Sequence, residues 1–210
     1  MSYKLHYLNF HSRGEAIRML FSHAKVEYQE INYSYADLAQ LKGTGKFEFD
    51  QLPGVEMDGK MYVQSNAILR YLGTTLRYYP EDAYQAYLVD SILDSVNDIL
   101  NALYKAAFHP IEETKTALLA DFYNNTLPRF IAAFDKRLEG NTTGFIVGDQ
   151  ITIADFALAA FAYSLFLNEI CPVKAQIEEV VKRFENFYNY SIGLGEHVKA
   201  HLDTRKPAPW

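Results

Sequence analysis

Two groups of residues in this chain could carry chemistry. The first is Tyr7 with Arg13. Tyr7 falls at the end of a first apolar strand, and Arg13 in the first turn of the helix that follows. In an open α/β sheet, sites gather beyond the carboxyl ends of the strands. A tyrosine hydroxyl there can donate a hydrogen bond to a thiolate and lower its pKa. A free thiol titrates near ~8.5, and each unit of lowering takes ~1.4 kcal/mol of preferential stabilisation. Taken alone, Tyr7 is more often simply the aromatic that ends a strand.

The second group lies in Gln51 to Leu72, QLPGVEMDGKMYVQSNAILRYL. Asp58-Gly59 between two short apolar runs signals a hairpin. Gln64-Ser65-Asn66 then opens a helix whose apolar side carries Ala67, Ile68, Tyr71 and Leu72. A helix start offers unpaired N–H groups and the positive end of a dipole, so it can hold a carboxylate. Pro53 has no N–H, and X-Pro bonds are sometimes cis. A cis bond would turn the Leu52 backbone outward, where it could pair with an extended peptide. The stretch has the makings of a small-peptide site. An ordinary hairpin followed by a capped helix is the alternative.

Other chemistries find little support. There are six His, yet no HExxH or other metal spacing. No GxSxG elbow occurs, and Gly43-Thr44-Gly45-Lys46 lacks the phosphate-loop spacing. Cys171 is the only cysteine, which excludes a disulfide framework, a CxxC pair and a cysteine zinc site. The net charge of −6, with no basic run, argues against nucleic acid and anionic membrane as partners. The N-terminus lacks the pattern of a signal peptide. The apolar run Phe156 to Leu167 is shorter than the ~20 residues a bilayer needs, and a buried core helix is the better reading. Asn141-Thr142-Thr143 matches a glycosylation pattern that carries no weight without secretion. Cytosol is the simplest compartment.

Positioning these residues asks for two kinds of structure. Tyr3 to Leu8 reads as a strand, Arg13 to His23 as a helix with Ser12 as N-cap and Glu15 completing the box, and Val26 to Ile31 as a strand. Ala36 to Leu41 is a short helix, and Gly43 and Gly45 mark a loop before the hairpin. Gly73 to Asp82 reads as a linker. Beyond it the period is helical: Ala83 to Phe108, Ile111 to Leu138 with a kink at Pro128, Phe156 to Leu167, Ala175 to Tyr190 and Glu196 to His201. Thr152 to Asp155 has capping-box spacing. The tail, Asp203 to Trp210, is polar and Pro-rich.

Together the pieces resemble the cytosolic glutathione transferases along nearly the whole chain. The resemblance rests on Tyr7 with Arg13-Gly14-Glu15, on Gln51-Leu52-Pro53, on Gln64 to Gly73, and on Phe145 to Gln150 followed by Thr152 to Asp155. Within the family the chain looks most like the pi class, with mu- and sigma-like features. The resemblance implies a thioredoxin-like α/β domain over residues 1–76 and an all-α domain over 83–210. It implies that Tyr7 stabilises the glutathione thiolate. Ser65 and Gln64 would hold the γ-glutamyl end, Leu52 before a cis Pro53 the cysteinyl part, and Gln51 the glycyl end. Arg13 belongs to the same site. Asp98 would reach the partner subunit's glutathione in a homodimer. Leu8, Phe10, Tyr104 and Phe108 would line the electrophile pocket, with plain interdomain packing as the alternative. No metal and no cofactor beyond glutathione is implied.

The chain also departs from the family pattern. Leu38 stands where many relatives have Trp, so either Lys42 or Lys46 could make the glycyl contact. Phe47 and Phe49 occupy the loop where pi-class proteins tend to carry a reactive cysteine, and Phe49 is the better candidate for a dimer key. Phe108 lacks the hydroxyl a Tyr would offer an epoxide or enone. The rival readings are a glutathione-dependent isomerase, such as a prostaglandin synthase, and a non-catalytic ligand-binding relative.

Overall fold

A computed structural model of the chain describes residues 2–210. Strand β1 (Tyr3–Leu8) leads into helix α1 (Ser12–His23), and strand β2 (Tyr28–Tyr33) returns parallel to β1. Helix α2 (Tyr35–Leu41) follows, then the hairpin of β3 (Gly54–Met57) and β4 (Lys60–Val63), then helix α3 (Ser65–Leu76). The sheet order is β2-β1-β3-β4, with β3 antiparallel to both neighbours. Asp58 and Gly59 both take positive φ, as a two-residue hairpin turn requires. This is the expected thioredoxin-like arrangement.

Several boundaries differ from the sequence reading: α3 runs on to Leu76, inside the stretch read as linker, the helix read over Phe156 to Leu167 starts at Ile153 and stops at Ser164, and both ends of α1 differ. β2 begins at Tyr28 because Val26 still belongs to the end of α1. Lys25 turns left-handed, its N–H donates to the Ser22 carbonyl, and the Val26 N–H donates to the Phe21 carbonyl. That Schellman closure consumes two residues before the strand can start. At the other end, Ser12 does not cap α1: His11 holds that position, and no side chain caps the helix.

The helical part opens with α4 (Ala83–Ala107), where the Asp82 carboxylate accepts the N–H groups of Tyr84 and Gln85. Next come α5 (Glu112–Asp121), a π turn (Phe122–Thr126) and α6 (Leu127–Leu138). The expected kink at Pro128 takes this form: proline has no N–H to give, and the ladder shifts to i→i+5 just ahead of it. α7 (Ile153–Ser164) is buried nearly throughout. The Thr152–Asp155 capping box is complete, and Asp155 also accepts the Ile146 N–H and the Tyr190 hydroxyl.

The last two helices are divided differently from the sequence reading. α8 (Lys174–Val181) is short, and α9 (Glu185–Leu202) runs unbroken through Gly193 and Gly195. A mid-helix Gly costs ~1 kcal/mol relative to Ala. The buried stripe of Phe187, Ser191, Leu194, Val198 and His201 outweighs that cost. Among the described residues, no helix is long and apolar enough to cross a membrane.

The two parts meet where α1 packs against α7 and α9, and α3 against α7. Polar clamps fix the join. Arg70 reaches Asp90 and Asp94, and Asn66 donates to the Leu93 carbonyl. The tail also packs back: the Asn168 amide donates to the Ala208 carbonyl, and the His11 N–H to the Trp210 carbonyl.

Candidate active site

Tyr7 ends β1 with its ring buried, at 5% exposure. The start of α1 lies directly behind it. With no side chain capping α1, the Arg13 N–H donates to the Tyr7 hydroxyl at 3.1 Å. Gly14 makes this approach possible, since a Cβ there would lie 2.7 Å from the Tyr7 ring. Burial raises the Tyr7 pKa, while the Ser12 hydroxyl, the Arg13 N–H and the charges of Arg18 and Arg13 pull it back. The phenol stays protonated at neutral pH, so it can donate a hydrogen bond to an anion.

Tyr7 lies on a cleft of about 630 Å³ between the α/β part and the helices, within the range of small-molecule sites. Leu8, Phe10, Arg13, Lys42, Gln51, Leu52, Gln64, Tyr104 and Phe108 line the same cleft. Pro53 and Ser65 line a small annex beside Gln51 and Gln64. The Leu52-Pro53 bond is cis. No side chain caps α3, so its first-turn N–H groups remain available to a ligand carboxylate. Gln64 precedes them with a φ of 70°.

The two lysines differ. Lys42 borders the cleft, whereas Lys46 donates to the Tyr33 hydroxyl at 2.9 Å and sits over the Tyr33 and Phe47 rings. Phe47 is buried against His6 and Tyr33, while Phe49 is 52% exposed. Asp98 is exposed on α4 and lines no part of the cleft.

Several cleft residues escaped the sequence reading. Asn97 and Asn101 each accept a hydrogen bond from the Arg13 guanidinium, at 2.7 Å. Their i, i+4 spacing on α4 was the available signal. Tyr35 faces Phe10 across a ring separation of 6.1 Å, and Leu38 and Asp50 complete that wall. Trp210 packs on Phe108 and Tyr104 at ring separations of 5.3 and 6.0 Å. A polar, Pro-rich tail gave no hint that its last residue returns to the cleft.

The end of the cleft near Gln51 and Gln64 is therefore polar, the far end aromatic, and a neutral phenol stands between them. Among the described residues, no group of His, Cys, Asp and Glu is placed to hold a metal ion.

Comparison with known proteins agrees with this geometry. Residues 2–74 match the family model for the glutathione S-transferase N-terminal domain, and residues 97–191 the model for its C-terminal domain. The chain is 37% identical over 162 residues to glutathione S-transferase A of Cavia porcellus, covering 76% of this chain and 73% of that protein. It is 36% identical over 157 residues to glutathione S-transferase alpha-2 of Rattus norvegicus, covering 73% and 69%. Among solved structures, monomeric Na-GST-3, a glutathione S-transferase from Necator americanus, superposes with a TM-score of 0.85 at 25% identity over all of both chains. Prostaglandin synthase D of Nilaparvata lugens gives 0.85 at 24% identity, covering 98% of this chain and 99% of that one, and shares the fold. With more than a third of residues identical across three quarters of its length, this chain belongs to the glutathione S-transferase family.

Proposed function

We infer that the chain joins the sulfur of reduced glutathione to apolar electrophiles, with Tyr7 holding the thiolate. Glutathione lies along the polar side of the cleft. Its γ-glutamyl carboxylate meets the uncapped start of α3 at Ser65 and Gln64, and its cysteinyl part pairs with Leu52 beside Pro53. Its glycyl carboxylate lies near Gln51 and Lys42, the lysine that borders the cleft. Arg13, clamped to α4, supplies a fixed positive charge beside them. The thiol gives its proton to solvent, and the Tyr7 O–H donates to the resulting thiolate. The sulfur lone pair then forms a bond to the electrophilic carbon, and the leaving group departs with its electrons. The second substrate lies against Leu8, Phe10, Tyr104 and Phe108. A thiolate nucleophile needs no metal and no further cofactor.

The observation that carries this reading is the Tyr7 phenol, kept neutral by burial and oriented by the Arg13 N–H. Its test is conjugation of glutathione to chlorodinitrobenzene by the native chain and by Tyr7→Phe. Removing one such donor should lower kcat/KM about 10²-fold while leaving glutathione affinity within about two-fold. Equal rates for the two chains would exclude Tyr7 from the role. Glutathione consumption matched to product separates a transferase from an isomerase, which returns its glutathione.

Pi-like blocks in the sequence meet relatives with alpha-class names, so we assign the family without the pi label. We further propose a cytoplasmic homodimer, with exposed Phe49 as the interface key and Asp98 reaching the partner's site. The division into residues 1–76 and 83–210 follows the change from sheet to helices.

A further inference from the structure

One residue of the site is held in an uncommon conformation. Ser12 opens α1 with a φ of +37°, a region that non-glycine residues rarely enter. Its hydroxyl lies 2.8 Å from that of Tyr104, which belongs to α4 in the helical part. The next residue, Arg13, donates its N–H to the Tyr7 hydroxyl at 3.1 Å, so the Ser12–Arg13 peptide joins the two tyrosines. Burial pushes the Tyr104 phenol well above the usual tyrosine value, so Tyr104 keeps its proton.

We propose that Tyr104 is a positioning residue for the thiolate-stabilising phenol: its hydroxyl holds Ser12, and through the Ser12 backbone it sets the Arg13 N–H that fixes the direction in which Tyr7 donates. The proposal rests on the reading of Tyr7 given above. Tyr104 and Ser12 share a hydrogen bond, the Ser12–Arg13 peptide follows, the Arg13 N–H donates to Tyr7 Oη, and the Tyr7 O–H is left for the sulfur. The arrangement also ties the thiolate site to α4, so the phenol of one part is set by a hydroxyl from the other.

The competing role for Tyr104 is that of a cleft wall. Its ring packs on Trp210 and Phe108, and Tyr104→Phe keeps that ring. A wall residue would therefore leave the glutathione sulfur untouched. Arg13 is pinned by Asn97 and Asn101, Arg18 lies 5.6 Å over the Tyr7 ring, and Cys171 is near Tyr104. All stay the same in the variants below.

The test compares the native chain, Tyr104→Phe, Ser12→Gly and the double variant. Glycine accepts the Ser12 backbone while deleting its hydroxyl. The thiol pKa of bound glutathione is read from thiolate ultraviolet absorption across a pH series, and glutathione affinity from calorimetry. Tyr104→Phe should raise the thiol pKa by about 0.5–1 unit, the worth of one hydrogen bond, with affinity unchanged. Ser12→Gly should do the same, and the double variant no more than either alone. A thiol pKa in Tyr104→Phe equal to native, or a double variant equal to the sum of the singles, overturns the proposal. A native chain that gives no heat with glutathione overturns the transferase reading, and this inference with it. A native chain that lowers the thiol pKa while Tyr104→Phe matches it overturns this inference alone.

Discussion

Glu15 is fully buried, yet it carries a charge. Its carboxylate meets Arg205 at 2.7 Å, His201 Nε2 at 2.9 Å and Arg18 at 3.1 Å. Burial alone would raise its pKa, but His201, Arg18 and His11 together hold it far below the ordinary value of 4.5. The group thus binds fewer protons folded than unfolded near that value. Its contribution is complete above the unfolded pKa and drains away as pH falls below it. Glu15→Gln would leave the part-buried Arg205 without its carboxylate and Arg18 with Glu30 alone, at a cost of about 3–5 kcal/mol. Urea midpoints at pH 7 and pH 4 check both points, because the variant should be weaker at pH 7 and lose less on acidification. The sequence placed Glu15 as the closing residue of a capping box, three positions after Ser12, since local spacing is all a sequence displays. Its partners His201 and Arg205 come from the far end of the chain. Tyr7, Gln64 and Ser65 were legible because strand ends and helix starts carry local signals. Ser12 was seen as a cap, and its hydroxyl went instead to a helix whose position no local pattern reveals.

At the scale of elements, the site depends on α1 starting very close to the end of β1. Gly14 is the point of closest approach, against the Tyr7 ring. Gly14→Ala should leave the far-ultraviolet dichroism unchanged, because alanine is the better helix former. It should still lower the conjugation rate roughly 10- to 100-fold, since a displacement near 1 Å is enough at a reacting centre. A rate within two-fold of native would show that the ring yields without consequence. Element types were read correctly almost everywhere, because amphipathic period and capping spacing are strong local signals. The failures were at ends. β2 started late because a Schellman turn absorbed Val26, and α9 ran on because burial outweighed two glycines.

For the whole molecule, the question is whether one chain or two make the working unit. Phe49 stands exposed beside the annex that Ser65 and Pro53 line. An aromatic anchor in an interface is worth about 2 kcal/mol or more, so Phe49→Ala should weaken a dimer at least 10-fold. Sedimentation velocity across a dilution series measures it, and an unchanged constant would exclude Phe49 as the key. One solved relative is described as monomeric, so the native chain belongs in the same run. Contacts with a second chain leave little trace in a single sequence. An exposed Phe in a loop was the one legible sign of them.

Trp210 is the only tryptophan in the chain, and its ring stands at the aromatic end of the cleft, against Tyr104 and Phe108. The protein therefore carries one long-wavelength emitter, placed where the second substrate would rest. Its fluorescence reports on that spot alone. A dinitrophenyl conjugate of glutathione should quench most of the emission, because on the proposed reading its nitroaromatic ring would lie against the indole. Glutathione by itself would fill the Ser65 end and should leave the emission close to native. Occupancy of the two halves of the cleft can thus be followed separately, by light, in an unlabelled protein.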